Sequence, residues 1–108
     1  MGEIMRFGDA LVHARAGKRI ARLGWNGKNM YVYMTKGRLI PTDEWMVRLP
    51  SQELTEVEKE KGYVNIMPHL DMMTAQGTRV IGWLASQTDM LALDWYVVED
   101  NRTPEDEQ

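Results

Sequence analysis

The chain has 108 residues, no cysteine and a formal net charge of −3. That length holds one domain; without cysteine there is no disulfide framework and no thiolate metal site, and the net negative charge argues against DNA or RNA as a general partner. No apolar run approaches the roughly 18 residues that span a bilayer, and the first residues lack the apolar stretch of a signal peptide, so the expectation is a cytoplasmic protein with no membrane partner.

Phe7 to Gly17 reads as a short helix, because Phe7, Ala10, Leu11 and Ala14 recur at helical spacing. Asp9 suits the positive end of the helix dipole, and Gly17 is a stop signal. The period then changes to two. Arg19 to Trp25 reads as a strand with Ala21, Leu23 and Trp25 on one face and Ile20 and Arg22 on the other. Asn26-Gly27 is a strong hairpin signal, and Met30 to Met34 is the returning strand, rich in β-formers. Lys36-Gly37 marks the next turn. Residues 38–66 form a variable middle. A short strand between Pro41 and Pro50 that holds Trp45, Met46 and Val47 is one reading, followed by a solvated helix from a Ser51 cap to Lys61. Gly62 ends that helix, and Tyr63 to Met67 resumes strand character. His69 to Met73 and Arg79 to Leu84 read as two strands joined by a turn at Thr74 to Gly77, with Arg79, Ile81 and Trp83 on one face. Ser86-Gln87-Thr88-Asp89 matches a capping box and predicts a helix of about two turns. Trp95 to Val98 is a last strand, and Glu99 to Gln108 is a polar acidic tail expected to be disordered and dispensable. The expected fold is therefore a single α+β domain over residues 1–98: a small antiparallel sheet of hairpins with an N-terminal helix and a short C-terminal helix.

Charge is unevenly spread. Residues 1–50 hold 9 Lys/Arg against 4 Asp/Glu, and residues 51–108 hold 4 against 12. Either the acidic half is simply solvated, or the basic half faces an anionic ligand or an acidic neighbour. No recognised catalytic motif is present: no Gly-x-Ser-x-Gly elbow, no Walker loop, no His-Glu-x-x-His. His69 and Asp71 would share a strand face, which permits an oriented general base or the start of a metal site. With only two candidate ligands, a hydrogen-bonded structural pair at the strand start is the favoured reading. Ser86 and Asp89 are accounted for by the capping box alone. Asp89 at a helix N-terminus also opposes an anion, so ribose hydroxyls would suit Asp89 and Thr88 better than phosphate. Trp25, before Asn26-Gly27, is either a stacking platform for a base or a core residue closing the sheet. Trp45, Trp83 and Trp95 lie amid apolar neighbours and read as core.

Two groups of motifs resemble a known family. Phe7-Gly8-Asp9-Ala10-Leu11, Gly17-Lys18-Arg19-Ile20-Ala21-Arg22 and Gly24-Trp25-Asn26-Gly27-Lys28 match its N-terminal half. Pro68-His69-Leu70-Asp71-Met72, Trp83 through Ala92 and Asp94-Trp95 match its C-terminal half. It is the second type of phage-borne Thoeris anti-defence protein, formerly a domain of unknown function, and the resemblance spans residues 4–98. It implies a molecular sponge in the cytoplasm of the infected bacterium. Such a protein binds a cyclic ADP-ribose isomer made by Thoeris immunity and leaves it intact. The resemblance further implies a homotetramer with pockets between protomers, no cofactor and no catalysis. Some relatives also hold cyclic oligonucleotides at a separate site.

A sponge needs an aromatic surface for adenine, cations for the pyrophosphate and polar groups for two riboses. Trp25 and Phe7 are the stacking candidates, Asn26, Thr88 and Asp89 the polar ones, Arg22 and Lys28 the phosphate ones, and Tyr96 a wall residue. The rival readings are a small nucleotide-degrading enzyme built on His69 and Asp71, and a structural phage protein that makes only protein contacts.

Overall fold

The computed structural model describes residues 3–51 and 53–99. Among them, in chain order, are α1 (Phe7–Arg15), β1 (Arg19–Arg22), β2 (Tyr31–Thr35), β3 (Arg38–Pro41), α2 (Thr42–Arg48), α3 (Glu56–Lys61), β4 (Tyr63–Ile66), β5 (His69–Met73), β6 (Arg79–Ile81), α4 (Gln87–Leu91) and β7 (Trp95–Val98). The expected α+β class, with antiparallel pairs, an N-terminal helix and a short C-terminal helix, is what the chain adopts. The acidic tail expected from residue 99 lies, apart from Glu99, outside the described residues.

The chain gathers into two compact units. One runs through Met34 and resumes at Leu70; the other is Thr35–His69. The first unit is organised by a five-stranded sheet of order β6-β5-β2-β1-β7. Strand alternation explains its core. Ile20 sits opposite Val32 on β2 and opposite Val97 on β7. Ile20, Val32 and Trp95 are fully buried on this face, joined by Met72 from β5 and by Ala10 and Ala14 from α1. The two alanines stand four residues apart, so their small side chains let α1 lie close to the sheet. Phe7, one turn earlier, packs its ring 4.9 Å from that of Trp95. Arg19, Tyr31, Tyr96 and the buried Ala21 belong to the opposite face.

Three local expectations are corrected in this unit. Strand β1 ends at Arg22, so Leu23 and Trp25 are not part of its alternation. Residues 23–30 connect β1 to β2 instead of a two-residue Asn26-Gly27 turn; the left-handed backbone falls on Asn29 (φ 63°), and neither Asn26 nor Gly27 has positive φ. Strand β6 stops at Ile81 because Gly82 turns left-handed (φ 81°), a conformation open to glycine at little cost. Trp83 therefore leaves the strand face expected for it. Its N–H donates to the Leu70 carbonyl at 2.7 Å, and its ring packs against the core. The β5–β6 turn stands where expected, closed by Thr74 and Thr78 through a 2.8 Å backbone bond.

In the second unit, β3 and β4 pair antiparallel with Ile40 opposite Val64, both buried. The expected variable middle, residues 38–66, falls inside this unit. Trp45, Met46 and Val47 belong to helix α2, not to a strand. The strand comes earlier, at Arg38–Pro41, and Pro41 also serves as the N-cap position of the helix, where its missing N–H costs nothing. No residue of α2 is buried, so Trp45 is not a core side chain. Helix α3 starts from Thr55, not from Ser51. Thr55 accepts from the Glu58 N–H while the Glu58 carboxylate accepts from the Thr55 N–H, a complete capping box.

Candidate functional site

Three elements of the first unit meet at the end of β1. Arg22 is the last residue of that strand, Asp89 lies in the first turn of α4, and Asp94 immediately precedes β7. Arg22 Nε donates to Asp94 Oδ1 at 2.8 Å, and Nη1 donates to Asp89 Oδ1 at 2.8 Å. The second Asp94 oxygen accepts the Gly24 N–H at 2.7 Å. Asp89 is more heavily engaged still. Its Oδ1 also accepts from Trp25 Nε1 at 3.1 Å, its Oδ2 from the Ser86 N–H, and its backbone carbonyl from Trp95 Nε1 at 2.8 Å. The capping box read from Ser86 to Asp89 is formed, with Asp89 N–H donating to Ser86 Oγ at 3.0 Å.

Exposure of the three charged side chains is 14% for Arg22, 14% for Asp89 and 28% for Asp94. Charges this far from solvent are held by their partners. Hydrogen bonds from Arg22 chiefly, and from Gly24, keep Asp94 below the ordinary carboxylate range against a smaller effect of burial. Burial pushes Asp89 up, but hydrogen bonds from Arg22, Trp25 and Ser86 together outweigh it and leave Asp89 lowered as well. The Arg22 guanidinium is raised by Asp94 and then Asp89.

Depressed carboxylates bind protons more weakly in the folded chain than in the unfolded one. Their contribution is therefore fully present above the unfolded carboxylate value of about 4 and is lost as pH falls below it. Chemical denaturation at pH 6, 4 and 3 should show stability declining with acid, and less steeply when Asp89 and Asp94 are both Asn. A double variant with the parent's slope would mean that this cluster does not carry the acid sensitivity.

Behind the ion cluster the aromatic rings interlock. The Trp25 ring stands edge-on to Trp95 (centroids 5.3 Å, 78°) and to Trp83 (6.2 Å, 75°). Such T-shaped contacts place the positive edge of one ring on the negative face of another. Trp25 is half-buried, and it also borders a cavity of about 520 Å³. The face of the sheet opposite the core supplies Arg19, Tyr31, Tyr96 and Val98 to this cavity. The β1–β2 connection supplies Trp25, Lys28, Asn29 and Met30. The Arg19 guanidinium lies 5.0 Å from the centre of the Tyr31 ring, within cation–π range.

The sequence candidates divide accordingly. Trp25, Arg22, Lys28 and Tyr96 border the cavity together. Asp89 stands behind Arg22 and Trp25 and does not line it. Thr88 and Asn26 are exposed and are not among its lining residues. Phe7 belongs to the packing around Trp95. Arg19, Tyr31, Asn29 and Met30 are among the lining residues that were missed. A signal existed for two of them: Ile20 and Val32 are core by pattern, so their neighbours Arg19 and Tyr31 must share the opposite face. His69 and Asp71 are both in β5. Asp71 is 2% exposed and accepts the Gly82 N–H at 2.8 Å; His69 Nδ1 lies 2.8 Å from the Met67 carbonyl oxygen. Among the described residues no three His, Asp or Glu side chains cluster as metal ligands, and no helix is long and apolar enough to cross a membrane.

The geometry defines a small α+β protein with one face of its sheet packed under a helix and the other bordering an aromatic and cationic cavity. Residues 5–98 match the family described as the Thoeris anti-defense 2-like domain. A protein of Bacillus phage SP01 named Thoeris anti-defense 2 is 31% identical over 94 residues, covering 87% of this chain and 94% of that protein. The chain belongs to the Thoeris anti-defense 2-like family.

Proposed function

We propose that this protein is a phage anti-defence sponge. It captures a cyclic ADP-ribose isomer, the signal of Thoeris immunity, in the cytoplasm of the infected host and holds it without cleaving it. The observation that carries this reading is the cavity bordered by Trp25, Tyr31 and Tyr96 with Arg19 and Lys28. Its volume of about 520 Å³ lies within the roughly 300–1,000 Å³ typical of small-molecule sites. Aromatic rings suit an adenine face, and the exposed Lys28 and the Tyr31-bound Arg19 suit a pyrophosphate. Arg22 is the weaker phosphate partner, because two carboxylates already offset its charge.

Retention without cleavage is supported by the state of the two acids that hold the cavity wall. Asp89 and Asp94 accept hydrogen bonds and are held below the ordinary carboxylate range, so neither is poised to shuttle a proton near neutral pH. Family membership and the exposed Leu84, Leu91 and Leu93 favour assembly into a homotetramer.

The test is to incubate the protein with a panel of cyclic ADP-ribose isomers, remove unbound ligand, denature by heat and analyse what is released. One isomer should return unchanged, and Lys28→Glu should retain less of it, with light scattering on the same sample reporting four chains per particle. Recovery of a linear product would establish an enzyme instead. Retention of none of the isomers would overturn the sponge.

A further inference from the structure

Four consecutive residues, Arg22 at the end of β1 and Leu23, Gly24 and Trp25 at the start of the β1–β2 connection, are fastened to one short stretch of chain, residues 89–94. The Asp94 backbone carbonyl accepts the Leu23 N–H at 3.1 Å. Its carboxylate takes Arg22 with one oxygen and Gly24 with the other, at 2.8 and 2.7 Å. Asp89 takes Arg22 again and the Trp25 indole. Neither acid borders the cavity, whereas Arg22, Leu23 and Trp25 do. The carboxylates thus act on the cavity through the wall residues they hold.

We infer that Asp94 is a positioning residue of the cavity: acting through Arg22 and Gly24, it presets the Leu23–Met30 wall before a ligand arrives. The inference rests on the cavity being the nucleotide site. A wall ordered in advance removes from binding the entropy cost of ordering it. Gly24 is part of the device. A Cβ there would lie 2.9 Å from Asp94 Oδ2 and 3.1 Å from Arg22 Nη2, so a side chain at this position would push the carboxylate and the guanidinium off the backbone amide.

Two variants test it in the full chain. Asp94→Asn keeps the shape but turns one acceptor into a donor facing Arg22 or the Gly24 amide. Gly24→Ala wedges the same contact and changes no charge. Ligand-free, each should speed amide exchange at Gly24 and Trp25 while leaving β1 and β2 protected as in the parent. Affinity for the isomer that the parent retains should fall about tenfold for Asp94→Asn and less for Gly24→Ala. Should Asp94→Asn fail to fold, Gly24→Ala carries both readouts. Parent-like exchange and affinity in the variants would overturn the inference. So would exchange that rises uniformly through the first unit, because that marks general destabilisation. If the parent retains no isomer, the sponge reading falls by itself, and the local exchange pattern alone decides whether Asp94 presets the wall.

Discussion

Arg22→Met is expected to lower stability by about 2–3 kcal/mol, a fall in melting temperature of roughly 10–20 °C. The substitution keeps most of the apolar stem and removes the one guanidinium that both Asp89 and Asp94 face. Two carboxylates would then stand close together with little solvent to stabilise them. Breaking a fully buried pair costs about 3–5 kcal/mol; the lower figure is appropriate here because Asp94 is 28% exposed and its charge is partly screened. The cost comes from stranding the acids, so it should be recoverable. In the Arg22→Met background, Asp89→Asn and Asp94→Asn together should restore much of the loss, a non-additivity that thermal melts of the single and combined variants measure directly. If Arg22→Met melts with the parent, the cluster is peripheral to stability.

Sequence reasoning reached this cluster by an indirect route. Arg22, Trp25 and Asp89 were each singled out as ligand-binding candidates from residue type, local position and the family resemblance, and the fold brings them together. What residue type could not reveal is that they bind one another. Asp89 satisfies a capping box, an arginine and an indole at once, from residues 67 and 64 positions away in the chain. Asp94, which holds Arg22, Leu23 and Gly24, carries no local pattern and was not singled out as a site residue. Elements defined by short-range chemistry were legible: α1 from the spacing of its apolar residues, α4 from its capping box, β2 from its β-forming residues. The Asn26-Gly27 hairpin failed for the opposite reason. A local turn preference was overruled by long-range bonds that pull residues 23–25 out of β1 toward Asp94 and Asp89. In the second unit, Trp45, Met46 and Val47 have β-forming character, but Pro41 breaks the strand before them, and Asp43 and Glu44 in the next turn favour a helix start.

Trp25 is both a packing residue and a cavity residue, and two substitutions should separate these roles. Trp25→Ala removes the edge-on contacts to Trp95 and Trp83 and the indole hydrogen bond to Asp89. Full burial of a Trp would set the loss at about 3–5 kcal/mol; half-burial brings the expectation to the low end of that range. If the ring also stacks on a purine, the folded fraction should bind the captured nucleotide roughly 5- to 150-fold more weakly, from about 1–3 kcal/mol per stacked base. Trp25→Phe keeps an aromatic face at the cavity but cannot donate to Asp89. It should lower stability by about 1.5–2 kcal/mol, the low end for one hydrogen bond to a charged acceptor because Trp25 is only half-buried, while affinity falls by only a fewfold. Melting temperature and ligand titration on the same preparations give both quantities. A Trp25→Ala protein that remains folded and binds as tightly as the parent would confine Trp25 to the packing around Trp95. A Trp25→Phe protein that loses as much affinity as Trp25→Ala would shift the role from ring stacking to the bond with Asp89, because that bond is what the two variants lose in common.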